Sequence, residues 1–408
     1  MMAGDQRALE PTRAALQTRI ADLIARLSDG SRDDEARDVL LEEVLAWQAQ
    51  AVPPYARLCQ RHRSSSPASR VAACRVLEFP ALPTDVFRFT RVASHLPSQD
   101  VRTFRTSGTT SGARGQHFVR DLSLYDQAAR AAARYALFPD QRPMRIVAVM
   151  ASGQTLPDSS LSYMVDRFFS WFGDGYGGHV WSAAGLDTEA LVGHLDAACR
   201  DGAAVALLGT SFGLVHADDA LGTHRERGRS FRLPQGSRVM QTGGFKGKSR
   251  ELSPSSMQAM LCERYGVPTT HVVQEYGMTE LCSQAYGSAL RSALLGGEPQ
   301  PSDGRRLSPC AQSGSHAQAD AGEHSGERLW VPGWVRTTAV DAETLAPVPD
   351  GQPGLLRIDD LANLDTVCAI QTSDLARVTP DGLQLLGRAP GAAPRGCSLA
   401  VEEVLGHR

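Results

Sequence analysis

The chain has 408 residues, 42% of them hydrophobic and 21% charged, and its 42 basic and 45 acidic side chains leave a net charge of −3. This balance excludes any global attraction to nucleic acid or to an anionic membrane surface. The length allows two or three domains, or one large one. Only two of the 42 basic residues are lysines, Lys246 and Lys248, so any lysine chemistry has just two candidates.

No stretch approaches the ~20 apolar residues of a membrane span. Met1 to Ala14 mixes charges of both signs without an apolar core, unlike a secretory signal. The eight cysteines (Cys59, Cys74, Cys199, Cys262, Cys282, Cys310, Cys368 and Cys397) form no C-x-x-C pair and no zinc-like spacing. Scattered thiols in a chain this long suit a reducing compartment, and a cytoplasmic protein is expected.

In chain order, residues 1–80 read as a helical N-terminal region. Ala15, Leu16, Ile20, Leu23, Ile24 and Leu27 recur at helical spacing before Gly30, and a second run (Leu40, Leu41, Val44, Leu45, Trp47) is predicted to stop at Pro53-Pro54.

Residues 81–295 alternate strand and helix signals. Arg145–Ala151 is an apolar, β-branched run expected of a buried strand, followed by helical periodicity over Ser159–Phe172. Gly178–Ser182, Ala203–Gly209, Ser237–Thr242 and Thr270–Gln274 are strand-like. Between them, Asp187 is a candidate N-cap for a helix to Arg200, and Ser253-Pro254 one for a helix to Tyr265. The order predicts an α/β core around a mostly parallel sheet. The cluster Phe168, Phe169, Trp171 and Phe172 reads as core packing rather than substrate lining.

Residues 296–327, rich in Gly, Ser, Pro, Ala, His and Gln, read as a flexible polar insertion. Residues 328–387 read as a β-rich subdomain, with strands at Arg328–Ala339, Gly354–Ile358, Thr366–Gln371 and Gly382–Leu386. A short tail, 388–408, ends the sequence.

Two motifs stand out chemically. Thr106-Ser107-Gly108-Thr109-Thr110-Ser111-Gly112 concentrates hydroxyls and glycines, a composition that offers hydroxyl and backbone N–H donors to phosphate oxygens, although it is not a Walker loop. Glu275-Tyr276-Gly277-Met278-Thr279-Glu280 follows a predicted strand, where open α/β sheets place ligand-binding loops. There Tyr276 can stack on a base and Glu280 can hold magnesium.

Taken together with Asp374 in a T-S-D context and with Gly387-Arg388, these motifs resemble the adenylate-forming superfamily of acyl-CoA ligases and firefly luciferase. Within it the match is to the acyl-protein synthetases, the LuxE family. The elements that carry this match are Thr242-Gly243-Gly244-Phe245-Lys246-Gly247, Tyr276–Glu280, Gly387-Arg388-Ala389-Pro390-Gly391 and Arg395-Gly396-Cys397, in matching order from about residue 80 to the end.

The resemblance implies that a carboxylic acid, with fatty acids the expected class, attacks the α-phosphate of ATP, after which a nucleophile displaces AMP. It implies that Thr106, Ser107, Gly108, Thr109 and Thr110 clamp the pyrophosphate end of ATP, and that Gly243, Gly244 and Phe245 face Tyr276 and Gly277 across the adenine. Thr279 would sit near the α-phosphate, Glu280 would bind magnesium, and Asp374 and Arg388 would serve the ribose. A dianionic pentavalent centre needs such donors and cations.

Two departures from the family pattern matter. The hydroxyl-rich loop lacks the usual closing Pro-Lys and has Ser111 and Arg114 instead; arginine can still contact phosphate. Only 20 residues follow Arg388, none of them lysine, so the standard C-terminal lid is expected to be truncated. Cys397, with Arg395 nearby to favour thiolate, becomes the candidate acyl acceptor. Lys246 becomes the candidate replacement for the lid lysine. A partner protein such as an acyl reductase would then receive the acyl group. Transfer to CoA or to a carrier protein, and an inactive relative serving as a complex subunit, remain the alternatives.

Overall fold

A computed structural model describes residues 3–65, 75–106, 114–223, 229–243, 252–296 and 327–389. Three helices lead: α1 (Ala3–Arg26), α2 (Asp34–Ala51) and α3 (Pro53–Ser65). Asp33 caps α2 by accepting the Ala36 N–H. The second helical run ends at Ala51, just ahead of Pro53-Pro54 as expected, and the same prolines open α3, because proline in a first helical turn sacrifices no intrahelical bond. Ile20, Ile24, Leu41, Val44 and Leu45 are fully buried in the same core as the main body.

Between the helices and the body, β1 (Leu82–Pro83) and α4 (Val86–Phe89) precede a separate two-stranded hairpin, β2 (Arg102–Arg105) and β3 (Gln116–Val119). The α/β part then runs α5 (Ser123–Ala136), β4 (Met144–Ala151), α6 (Ser160–Phe172), β5 (Gly173–Ser182), β6 (Gly185–Leu186), α7 (Thr188–Asp201), β7 (Val205–Thr210), α8 (Ser211–Thr223), β8 (Arg238–Thr242), α9 (Pro254–Tyr265) and β9 (Val272–Tyr276). After it come β10 (Ala285–Gly287), α10 (Ala289–Leu295), β11 (Arg328–Trp330), β12 (Val335–Val340), β13 (Pro353–Asp360), β14 (Ala369–Thr379) and β15 (Gly382–Arg388).

Thirteen of these strands form one sheet, in the order β12-β13-β14-β15-β11-β10-β9-β8-β7-β4-β5-β6, with β1 paired to β14. The run β5-β4-β7-β8-β9 is parallel throughout. All eight residues of β4 are buried, as its apolar run predicts. Its alternation sends Ile146, Ala148 and Met150 into the core shared with α5 and α6, and Val147 and Val149 into that shared with α7, α8 and α9. Helices therefore cover both faces, as a parallel sheet requires. The β-rich stretch after residue 328 continues this same sheet through β10 and β11, with antiparallel pairing. Phe168 and Phe172 are buried, with Phe172 stacked on Phe138 at 4.3 Å, so that cluster is core. Among the described residues no helix is long and apolar enough to cross a membrane.

Candidate active site

The parallel strands end on one edge, where the register sets Thr210 beside Thr242 and Thr242 beside Glu275. The end of β8 is held from both sides. Ser211, opening α8, donates its hydroxyl to the Gly243 carbonyl at 2.8 Å, and the Thr242 hydroxyl donates to the Glu275 carboxylate. Gly243 adopts a φ of 68°, a left-handed conformation that glycine takes without strain.

Glu275, just before Tyr276, is wholly enclosed, and burial pushes its carboxyl up to about 7. Its Oε1 would lie 2.5 Å from a Cβ on Gly277, so a side chain there would have to displace the Glu275 carboxylate. The buried carboxyl also sets a pH signature. From about pH 4.5 to 7 the folded chain keeps a proton that the unfolded chain has lost, so stability falls as pH rises, by about 3 kcal/mol in all, and the full loss is present above pH 7. Glu275→Gln should therefore raise the melting temperature above pH 7, and the gain should shrink towards zero below pH 4.5 in a thermal-denaturation series.

Beyond Glu275 the chain turns back across the site. The Tyr276 hydroxyl donates to Asp374 Oδ2 at 2.8 Å, and burial together with that carboxylate keeps the phenol protonated. Asp374 lies inside β14, opposite Arg388 on β15, with Arg388 Nε 3.4 Å from Oδ1. The sequence reading ended that strand at Gln371; the strand continues to Thr379 and carries Asp374 to Tyr276.

Thr106 closes the described base of the hydroxyl-rich loop: its N–H donates to the Gly115 carbonyl at 3.0 Å, and its hydroxyl accepts the Gly115 N–H at 2.9 Å. Arg114 donates to the Thr106 carbonyl and pairs with Asp158 at 2.7 Å, so its guanidinium fastens the base of the loop. A Cβ on Gly115 would sit 3.5 Å from Glu280 Oε1, which places the loop base against the second motif. Glu280 is buried, and desolvation raises its carboxyl to about 7.

Two further residues hold this loop, and the motifs did not reveal them. His117 Nδ1 lies 2.7 Å from the Thr279 carbonyl, and Asn363 Nδ2 donates to the Glu280 carbonyl at 2.8 Å. The one sequence signal for His117 is a polar ring at an inward position of a short alternating strand. Ser107, Gly108, Thr109, Thr110, Gly244, Phe245, Lys246, Lys248 and Cys397 lie outside the described residues. Tyr276, Asp374 and Arg388 thus meet at one point, and Thr106, through Gly115, meets Glu280 at another on the same loop.

The acyl-protein synthetase (LuxE) family model matches residues 21–289, about two thirds of the chain. The chain belongs to the LuxE acyl-protein synthetase family.

A long-chain-fatty-acid–luciferin-component ligase of Aliivibrio fischeri is 34% identical over 92 residues, 20% of this chain and 24% of that protein. The match therefore spans about a quarter of that relative's length. Among solved structures, 2-hydroxyisobutyryl-CoA ligase in an open conformation with 2-HIB-AMP and CoA superimposes with a TM-score of 0.56 at 16% identity, over 87% of this chain and 74% of that one. The same ligase in its thioesterification state gives 0.55 at 17% identity, over 89% and 67%. This LuxE-family chain thus shares its fold with 2-hydroxyisobutyryl-CoA ligase.

Proposed function

We propose that this LuxE-family protein activates a carboxylic acid by adenylation, its carboxylate attacking the α-phosphate of ATP to give acyl-AMP and pyrophosphate. The observation that carries the reading is the apposition of the hydroxyl-rich loop, at Gly115, with the Glu280 carboxylate. It sets the base of that loop beside an acidic group at the carboxyl edge of a parallel sheet, where such folds bind ligands.

In this reading Thr106 and the following Ser107, Gly108, Thr109 and Thr110 hold the β- and γ-phosphates. Gly243, Gly244 and Phe245 form one wall of the adenine pocket, with Tyr276 and Gly277 as the other. Asp374, already accepting from Tyr276, takes the ribose hydroxyls beside Arg388. Thr279 lies at the reacting phosphate, and Lys246 supplies positive charge over it.

A buried carboxylate beside the base of the hydroxyl-rich loop is a donor set that fits magnesium, which is usually held by one or two carboxylates together with substrate phosphates. Glu280 is the carboxylate that would hold it. The bound ion would screen the charge of the phosphates.

Acyl transfer from AMP to Cys397 would follow, and then transfer to a partner such as an acyl reductase, with a fatty acid as the expected substrate. Incubation with ATP, magnesium, a panel of fatty acids and hydroxylamine tests the first step. Adenylation predicts an acyl hydroxamate with at least one acid, and folded protein that yields none with any acid would overturn the reading.

A further inference from the structure

His117 sits two residues past Gly115 on β3, with 2% of its surface exposed, and its Nδ1 is 2.7 Å from the Thr279 carbonyl oxygen. A carbonyl oxygen only accepts, so Nδ1 carries the proton and His117 donates. Nε2 faces the Thr366 hydroxyl at 3.5 Å. Burial lowers the ring's pKa to about 4, so it is neutral near pH 7.

On the same loop, Asn363 donates to the Glu280 carbonyl and, at 3.2 Å, to that of Val367. Two successive carbonyls are therefore held, one by β3 and one by the turn between β13 and β14. The strand that grips Thr279 is also the one that continues from the base of the hydroxyl-rich loop, where Thr106 and Gly115 are bonded to each other.

We propose that His117 is a positioning residue that ties the base of the hydroxyl-rich loop, Thr106 and Gly115, to Thr279–Glu280, fixing the separation between that base and the carboxylate. The functional part rests on the adenylation reading. Misplacing reacting groups by about an ångström lowers turnover by about a hundredfold. A purely structural histidine would alter only the folded fraction.

Three variants separate these cases. His117→Asn keeps an amide N–H where Nδ1 lies, His117→Gln places it where Nε2 lies, and His117→Leu removes it. In acid-dependent pyrophosphate exchange, Leu and Gln should lower kcat about a hundredfold while the KM for the acid stays within about twofold, and Asn should recover most of the rate. Deuterium exchange on peptides covering 276–283 should rise in Leu and Gln but not in Asn, with β4 peptides unchanged.

Wild-type-like rates and wild-type-like exchange in the Gln variant would overturn the inference while leaving adenylation standing. An inactive wild type whose variants still show the local exchange pattern would overturn adenylation while leaving the positioning role. If Leu fails to fold, the contrast between Asn and Gln decides, and equal behaviour of these two overturns the proposal.

Discussion

Cys397→Ser protein, incubated with ATP, magnesium and a radiolabelled acid, is expected to lose the label that survives denaturation while still exchanging pyrophosphate into ATP. In the proposed transfer the Cys397 thiolate attacks the acyl carbonyl. The thiol has by then given its proton to solvent; the carbon–oxygen bond to phosphate breaks, and AMP leaves with the electron pair. In this reading Arg395, two residues away along the chain, would favour the thiolate. A serine hydroxyl is a far weaker nucleophile than a thiolate, so the oxygen variant should not replace the sulfur. The retained label in the wild type should be released by neutral hydroxylamine, as a thioester is. Equal labelling of wild type and Cys397→Ser would place the acceptor elsewhere.

The second large effect is expected at Glu280. Glu280→Gln keeps the size and the backbone hydrogen bonds of the residue but removes the negative charge. The Asn363 bond to the Glu280 carbonyl should survive, so the loop should stay in place. Loss of a preorganised electrostatic group at a charged transition state lowers turnover on the order of a hundredfold. Pyrophosphate exchange should fall by about that factor, and half-maximal activity should require more magnesium. Because burial holds the Glu280 carboxyl high in the free protein, the neutral variant should fold at least as stably as the wild type at pH 8. An exchange rate within about twofold of wild type, with an unchanged magnesium requirement, would remove Glu280 from the metal role.

Much of this arrangement was legible in the sequence, and what was missed has local causes. The β4 run Met144–Ala151 is buried on both faces, so its continuous apolar character announced it. The caps at Asp187 and Ser253 marked α7 and α9 because each accepts a backbone N–H at its helix start. The helix α5 went unread although its pattern is amphipathic: Leu124, Tyr125 and five alanines are buried along one face, with Arg130 and Arg134 exposed on the other. The hairpin of β2 and β3 was hidden because four-residue strands give too little alternation to register.

Among the candidate site residues, Tyr276, Glu280 and Asp374 drew notice because they fall in motifs. Glu275 stood in plain view beside Tyr276, yet its burial depends on Thr242, 33 positions earlier, reaching it across the sheet. His117 and Asn363 were invisible for the same reason, since each acts through a carbonyl more than 80 residues away in the chain. Hydrogen bonds to backbone carbonyls leave no residue-type signature at the accepting end.

Acid-dependent exchange of labelled pyrophosphate into ATP by the wild-type protein tests adenylation most directly, because it requires the acyl-adenylate to form reversibly and nothing after it. Exchange that appears only when a suitable carboxylic acid is present is the predicted result. Folded protein that exchanges no label with any acid across a chain-length and aryl series would contradict it.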